Sequence, residues 1–302
     1  MTLDEKIQWN KQQSLKKGWS PSWFGATDYN EDLIDKIMEF QRSVGLKDDG
    51  LCGSTTFRKL YTDREQESAI HKVDHTENKK HIVANGELYP INWDKVVLWS
   101  DDNGLSCKQG TYSSYKDIKL PRKPTLFVTH WDVCLSSSIC ARVLNQRGIS
   151  VHFCIDNDGT IYQLVDMNNA CWHVGIRELN HFSIGVEISN AFDLKWQDWY
   201  IKKGFGERPI TSDATVHGKR LDPFLDFYPV QIQALKQLML AVHEIYDIPL
   251  QAPQTDSTID EDVMNNRFEG FCNHFHAKKT KIDCANINMK KLINELKVYQ
   301  ND

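Results

Sequence analysis

No run of this chain reaches the roughly 18 consecutive apolar residues that a membrane span needs. The opening segment MTLDEKIQWNKQQ has no apolar stretch of the secretory-leader kind. The expectation is therefore a chain made in the cytoplasm without a signal peptide and without membrane insertion. Positive charge is not in excess: 36 Lys and Arg against 41 Asp and Glu leave a net charge of −5. That balance argues against nucleic acid as a partner, since a nucleic-acid surface is basic. Eight cysteines occur, yet none forms a Cys-x-x-Cys pair, which excludes a zinc ribbon. The chain far exceeds the small scaffolds that disulfides staple, so most are expected as buried free thiols. Internal repeats and low-complexity segments are also missing. What is present is an ordinary globular composition, 40% hydrophobic and 25% charged over 302 residues, enough for two domains or one large one. Nine tryptophans are many for this length; most belong in a core, and exposed ones suit ligands such as sugars.

Two textures follow one another along the chain. Leu33, Ile34, Ile37, Met38 and Phe40 recur at helical spacing and stop at Gly45. Asp48-Asp49-Gly50 reads as a turn, and Ser54 as the cap of a helix running to Leu60. The polar stretch Asp63–Val73 and the DHTENKK that follows read as a linker. From Ile82 short strands take over, in HIVANGELYPI with a hairpin turn at Asn85-Gly86 and in KVVLW. Strands are predicted at 125–128, 151–155, 160–165 and 183–188, the middle two joined by Asn157-Asp158-Gly159. Helices are predicted at 136–146, 229–246 and 290–297. The expected class is α/β, a central mixed β-sheet flanked by helices, preceded by a small helical domain. The expected division is 1–70, a linker at 71–80, and 81–302.

Candidate metal ligands sit at strand ends and in loops. His130 directly follows the strand TLFVT; His274 and His276 lie in FCNHFHAKKTKIDCA, with Asp283 and Cys284 a few residues on. A catalytic zinc takes about three protein ligands from His, Cys and carboxylate and keeps a position open. His130, one of the late histidines, and Asp283 or Cys284 meet that requirement.

The pieces FVTHWD, SVHFCIDNDGTIYQLVD, ACWHVG, NHFSIGVEISN and NHFHAKKTKIDCA stand in this order. Together they resemble the type-2 N-acetylmuramoyl-L-alanine amidases, the family of phage lysozyme-amidases and peptidoglycan recognition proteins. The motif core spans 125–286. The resemblance implies Zn2+ held by His130, His274 and Asp283, with Cys284 the rival third ligand because Cys284-Ala285 replaces the family's Pro-Gly. His276 is the rival to His274. It makes Glu187 the general base, since Val151 stands where some members carry Tyr, and Lys281 the oxyanion stabiliser. Trp172 and His173 become the substrate-binding groove wall, and His152 a structural histidine. The segment WSPSWFG followed by IMEFQRSVGLKDDGLCGSTTFRKL resembles the three-helix peptidoglycan-binding module of lytic enzymes. The implied function is cleavage of the bond between muramic acid and L-alanine by a monomer. The implied setting is a phage endolysin that acts on the wall after release. Two other readings use the same groove: a non-catalytic peptidoglycan-binding protein, and an amidase of soluble muropeptides. Segment 82–123 matches no motif.

Overall fold

The structure, a computed structural model, describes residues 1–64, 81–114 and 122–301. The predicted linker at 71–80 lies outside the described residues. Three helices open the chain. Helix α1 (Leu3–Lys17) was not expected, although it carries a local signal: Thr2 and Glu5 form a reciprocal capping box and Gly18 ends the helix in the left-handed region. Helix α2 (Glu31–Ser43) starts at Asn30, whose side chain accepts from the Leu33 N–H. Helix α3 (Ser54–Arg64) includes Ser54 as its first residue. The Gly53 carbonyl accepts the Phe57 N–H at 2.8 Å, so the cap is Gly53 and not the predicted Ser54.

Strands β1 (His81–Ala84) and β2 (Glu87–Pro90) pair as an antiparallel hairpin. Its turn residues Asn85 and Gly86 have φ of 54° and 77°, the positive values that a two-residue turn of this kind requires. The central sheet adds β3 (Val96–Leu98), β4 (Leu126–Trp131), β5 (Phe153–Ile155), β6 (Ile161–Gln163), β7 (Ser183–Ile188) and β8 (Gly270–Asn273) in the order β8-β4-β7-β5-β6-β3. Only the β5–β6 pair, whose strands join through Asn157-Asp158-Gly159, is antiparallel. The sheet is mixed, as the alternation of strands and helices implies.

Period-2 geometry divides the residues of β4 and β7 between two faces. Phe127, Trp131, Ile184, Val186 and Ile188 enter one apolar cluster with Phe271 of β8. It is closed by Leu235, Leu238, Met239 and Val242 of α5 (Pro229–Tyr246) and by Leu292, Ile293 and Leu296 of α6 (Met289–Asn301). On the opposite face Leu126 and Val128 join Val174 and Leu179 in a smaller cluster, and the same row continues to His130. Helix α4 (Ser137–Arg147) is capped by the Ser136 side chain and ended by Gly148.

The N-terminal helices do not stand apart from the sheet domain. Helices α1 and α3 both contact α4. Trp19, Leu33, Phe57 and Tyr61 share an apolar cluster with Cys134, Leu135, Ile139, Val143 and Leu144. Three polar ties fasten α3: Lys59 to Asp193 at 2.5 Å, Lys195 to Asp63 at 2.9 Å, and the Thr62 hydroxyl donating to the Val133 carbonyl at 3.2 Å. All eight cysteines are buried and free. Among the described residues no helix is long and apolar enough to cross a membrane.

Candidate active site

The sheet itself sets the site. His130 of β4 and Glu187 of β7 are register partners on adjacent parallel strands, so their side chains leave the same face near the carboxyl ends of the strands. That is where open α/β sheets place their ligands. The next strand brings the second histidine: Asn273 pairs with Thr129, and His274 follows it immediately. The Thr129 hydroxyl donates to the Asn273 side-chain oxygen at 2.6 Å, and the Asn273 amide donates to the Ile287 carbonyl at 2.8 Å. These bonds fix the turn that carries His274. Asp132, one residue beyond β4, accepts from the Ser189 hydroxyl and from the N–H groups of Asn190 and Cys134. It thereby locks the ends of β4 and β7 together beside the site.

Three acceptor atoms converge. The His130 Nδ1 lies 2.9 Å from the His274 Nδ1 and 3.2 Å from the Asp283 Oδ2, and the latter two are 2.9 Å apart. The three residues form the candidate metal cluster found among the described residues. A tetrahedral ion with bonds of about 2.0 Å would separate its ligands by about 3.3 Å, close to these spacings. The outer nitrogens agree. The His274 Nε2–H donates to the Val174 carbonyl at 3.1 Å, which turns the Nδ1 toward the cluster. The His130 Nε2 meets the His173 Nδ1 at 2.9 Å, and the His173 Nε2 meets the Ser183 hydroxyl at 3.1 Å. Metal-binding histidines are oriented by partners of this kind. Burial, then neighbouring His274, pushes the His130 imidazole down to about 4. Burial alone would raise the Asp283 carboxyl, yet His274 and His130 hold it well below its usual range. Two ring nitrogens and a carboxylate oxygen are turned to one point, an arrangement that a shared cation would satisfy. The residues fit a zinc ion.

The rivals lie elsewhere. Cys284 is buried in the apolar cluster under α6, and desolvation drives its thiol well above the ordinary range. His276 is occupied by the Asn273 N–H on Nδ1 and the Thr255 carbonyl on Nε2, both at 3.0 Å. His152 sits between the Gly185 N–H on Nδ1 and the Asn169 carbonyl on Nε2.

Glu187 is 7% exposed, and its Oε2 is buried without a hydrogen-bond partner. Desolvation pushes its carboxyl up to about 8, opposed by Arg58 and Lys281 and reinforced by Asp132 and Asp283. Lys281 lines the same pocket, and burial lowers its ammonium despite the nearby Asp283. Trp172 stays half exposed on a neighbouring groove of about 800 Å³ that also holds Ser113, Arg177 and His181. His173, expected with Trp172 as groove wall beside the metal, hydrogen-bonds His130 and lines the pocket of the cluster. Its place depends on Gly185, where a Cβ would lie 2.6 Å from the His173 ring. Gly185, Asp132 and two pocket arginines, Arg58 and Arg147, were not singled out from the sequence. The Gly in SIGVE between Ser183 and Glu187 was the one available signal for a crowded face.

With this geometry in place, the chain can be set beside known proteins. The N-acetylmuramoyl-L-alanine amidase family (Amidase_2) matches residues 120–281, more than half of the chain, and the chain belongs to that family. Solved structures give weaker, fold-level likenesses. The Staphylococcus aureus hydrolase AmiA is 12% identical over 80% of this chain and 91% of that one, with a TM-score of 0.40. The endolysin LysCS of Clostridium intestinale is 17% identical over 68% and 95%, with a TM-score of 0.37. The amidase AmiD of E. coli, complexed with anhydro-N-acetylmuramic acid-L-Ala-D-γ-Glu-L-Lys, is 22% identical over 43% and 47%, with a TM-score of 0.31. No curated protein sequence matches the chain.

Proposed function

We propose that this amidase is a zinc-dependent peptidoglycan hydrolase that cuts the amide between the lactyl group of N-acetylmuramic acid and L-alanine. The observation that carries the reading is the convergence of two imidazole lone pairs and one carboxylate oxygen within 3.2 Å, beside an unpartnered buried carboxyl at Glu187. A bound zinc would supply Lewis acidity, polarising the scissile carbonyl and bringing the pKa of water toward ~7.

The chain's own residues do the rest. His130, His274 and Asp283 would hold the ion, and His173 would fix the His130 ring through its outer nitrogen. Glu187, desolvated and unbonded, takes the proton of the attacking water and returns it to the departing L-alanine amine. Its raised pKa matches a base that works near neutral pH. Lys281 supplies positive charge to the developing oxyanion. The exposed face of Trp172 and its groove accommodate the bulky muramoyl side. The three N-terminal helices support action on polymeric wall, because a second wall contact raises the effective concentration of substrate. We extend the reading to a phage endolysin acting on the host wall after release. The test is mass spectrometry of purified peptidoglycan after digestion. Stem peptides with a free L-alanine N-terminus are expected; products cut only in the glycan or between peptide residues would contradict the reading.

A further inference from the structure

The pocket that holds the cluster is lined by two guanidinium groups that the chemistry above does not use. Arg58 comes from α3, in the N-terminal helices, and Arg147 ends α4. Neither belongs to the metal cluster, and Arg58 lies outside the residues that match the amidase family. The Nη1 of Arg147 is buried without a hydrogen-bond partner. Neither arginine forms an ion pair within the described residues. Glu187 faces both, yet its own Oε2 is unbonded, so the guanidinium groups stop short of it.

This arrangement is costly for the protein alone. Two like charges face one another, and burial followed by Arg58 brings the Arg147 guanidinium down to about 10. Counting Lys281, the pocket holds three basic side chains against two carboxyl groups, those of Glu187 and Asp283, and a bound cation would widen the excess. An unpaired half-buried charge is retained cheaply only where something binds it. The remaining space is about 30 Å³, room for one or two waters or a carboxylate group and far too small for a sugar. The adjacent groove at Trp172 is more than twentyfold larger, at about 800 Å³. The two spaces differ as the two arms of the substrate differ: a bulky neutral sugar on one side, a peptide carrying free carboxylates on the other. A γ-linked glutamate, for example, leaves its α-carboxylate free one residue beyond L-alanine.

We infer that Arg58 and Arg147 form a carboxylate-binding pair that receives a free carboxylate of the stem peptide and so sets specificity next to the scissile amide. Guanidinium forks match carboxylates in geometry and charge. The inference rests on the amidase reading, and it gives the N-terminal helices a share in the active site itself. α3 is fastened to the sheet domain by the Lys59–Asp193 and Lys195–Asp63 pairs, which hold Arg58 over the pocket.

The test uses the full-length zinc-loaded protein and soluble muramoyl tripeptides made in matched pairs, with the carboxylate of the second or third residue either free or amidated. The wild type should favour a free acid by about 10–100-fold in kcat/KM, the range of a charge-assisted hydrogen-bonded contact. The position whose amidation matters identifies the carboxylate. R147Q should lose this preference mainly through KM while keeping its rate on the amidated peptide. R58Q should lose the preference too, on top of a drop shared by both peptides because Arg58 also opposes the rise of the Glu187 carboxyl, and R58K should restore part of it. A structural role alone would lower both substrates together. Wild-type protein that cuts acid and amide equally overturns the inference, with or without stable variants. Protein that cuts no muramoyl–L-alanine bond overturns the function beneath it instead.

Discussion

The two faces of β4 and β7 are built from alternate residues of the same two strands, and they differ in almost every physical respect. One face carries Phe127, Trp131, Ile184, Val186 and Ile188 into a dry core under α5 and α6. The other sends Leu126 and Val128 into a small apolar cluster and then carries Gly185, His130 and Glu187, where the Glu187 Oε2 has no hydrogen-bond partner and a glycine is needed so that His173 can lie against the strand. The first face uses burial for stability. The second uses the same low-dielectric surroundings to hold neutral imidazoles and a carboxyl whose pKa is raised. The lesson is that the scaffold and the chemistry are separated by a single residue of register.

That separation can be broken deliberately. Glu187→Gln should lower kcat by ~10²–10⁴-fold, the range for loss of a general base, with zinc retained. It should not destabilise the fold. A carboxyl raised to about 8 in the folded protein contributes stability that is complete below its unfolded pKa of about 4.3 and lost as pH rises through 8. Removing the ionisable group should therefore raise the Tm of the metal-free protein relative to wild type, and increasingly so from pH 5 to pH 9. Phe127→Ala on the opposite face should do the reverse, costing about 3–5 kcal/mol in denaturant unfolding with little change in turnover per folded molecule. Equal losses of rate and stability in both variants would erase the distinction between the faces.

Gly185→Ala probes the boundary between positioning and chemistry. The added methyl must displace the His173 ring, and loss of such an outer partner typically costs about 10–100-fold in metal affinity or activity. Zinc titration by competition with a chelator reads this directly; an unchanged affinity would show that His173 does not orient His130. The smallest effect belongs to Cys284→Ser. That thiol lies in the apolar cluster, so metal content and rate should stay within about twofold of wild type. Asp283→Ala should lose both, because it removes one of three converging ligands.

Much of this was legible from residues. β7 and α5 run over the predicted residues, 183–188 and 229–246, because a buried apolar strand and a long amphipathic stripe are strong local patterns. Position beside strands and in the late motif marked His130, His274, His276, Asp283 and Cys284 only as candidates; the choice of His274 and Asp283 among them came from the resemblance to the amidase family. What escaped has a common cause. Arg58 reaches the site only through packing of α3 on α4, a long-range relation that no local pattern encodes. α1 has too weak an apolar stripe to stand out, although its capping residues Thr2 and Glu5 were readable. The short ribbons that pair Ile210–Thr211 with Phe224–Leu225 and Thr215–Val216 with Lys219–Arg220 are two residues long, below the length at which alternation can be seen.

We propose that three side chains from β4, the turn after β8 and the loop before α6 make one metal-dependent catalytic centre. The most direct measurement is stepwise return of zinc to chelator-stripped protein, followed by elemental analysis and by release of L-alanine-terminated peptides from peptidoglycan. The account predicts that activity is lost on stripping and recovers linearly to a plateau at about one zinc per chain, with no recovery in His130→Ala. Full activity in protein stripped to below about a tenth of an equivalent of metal would contradict it.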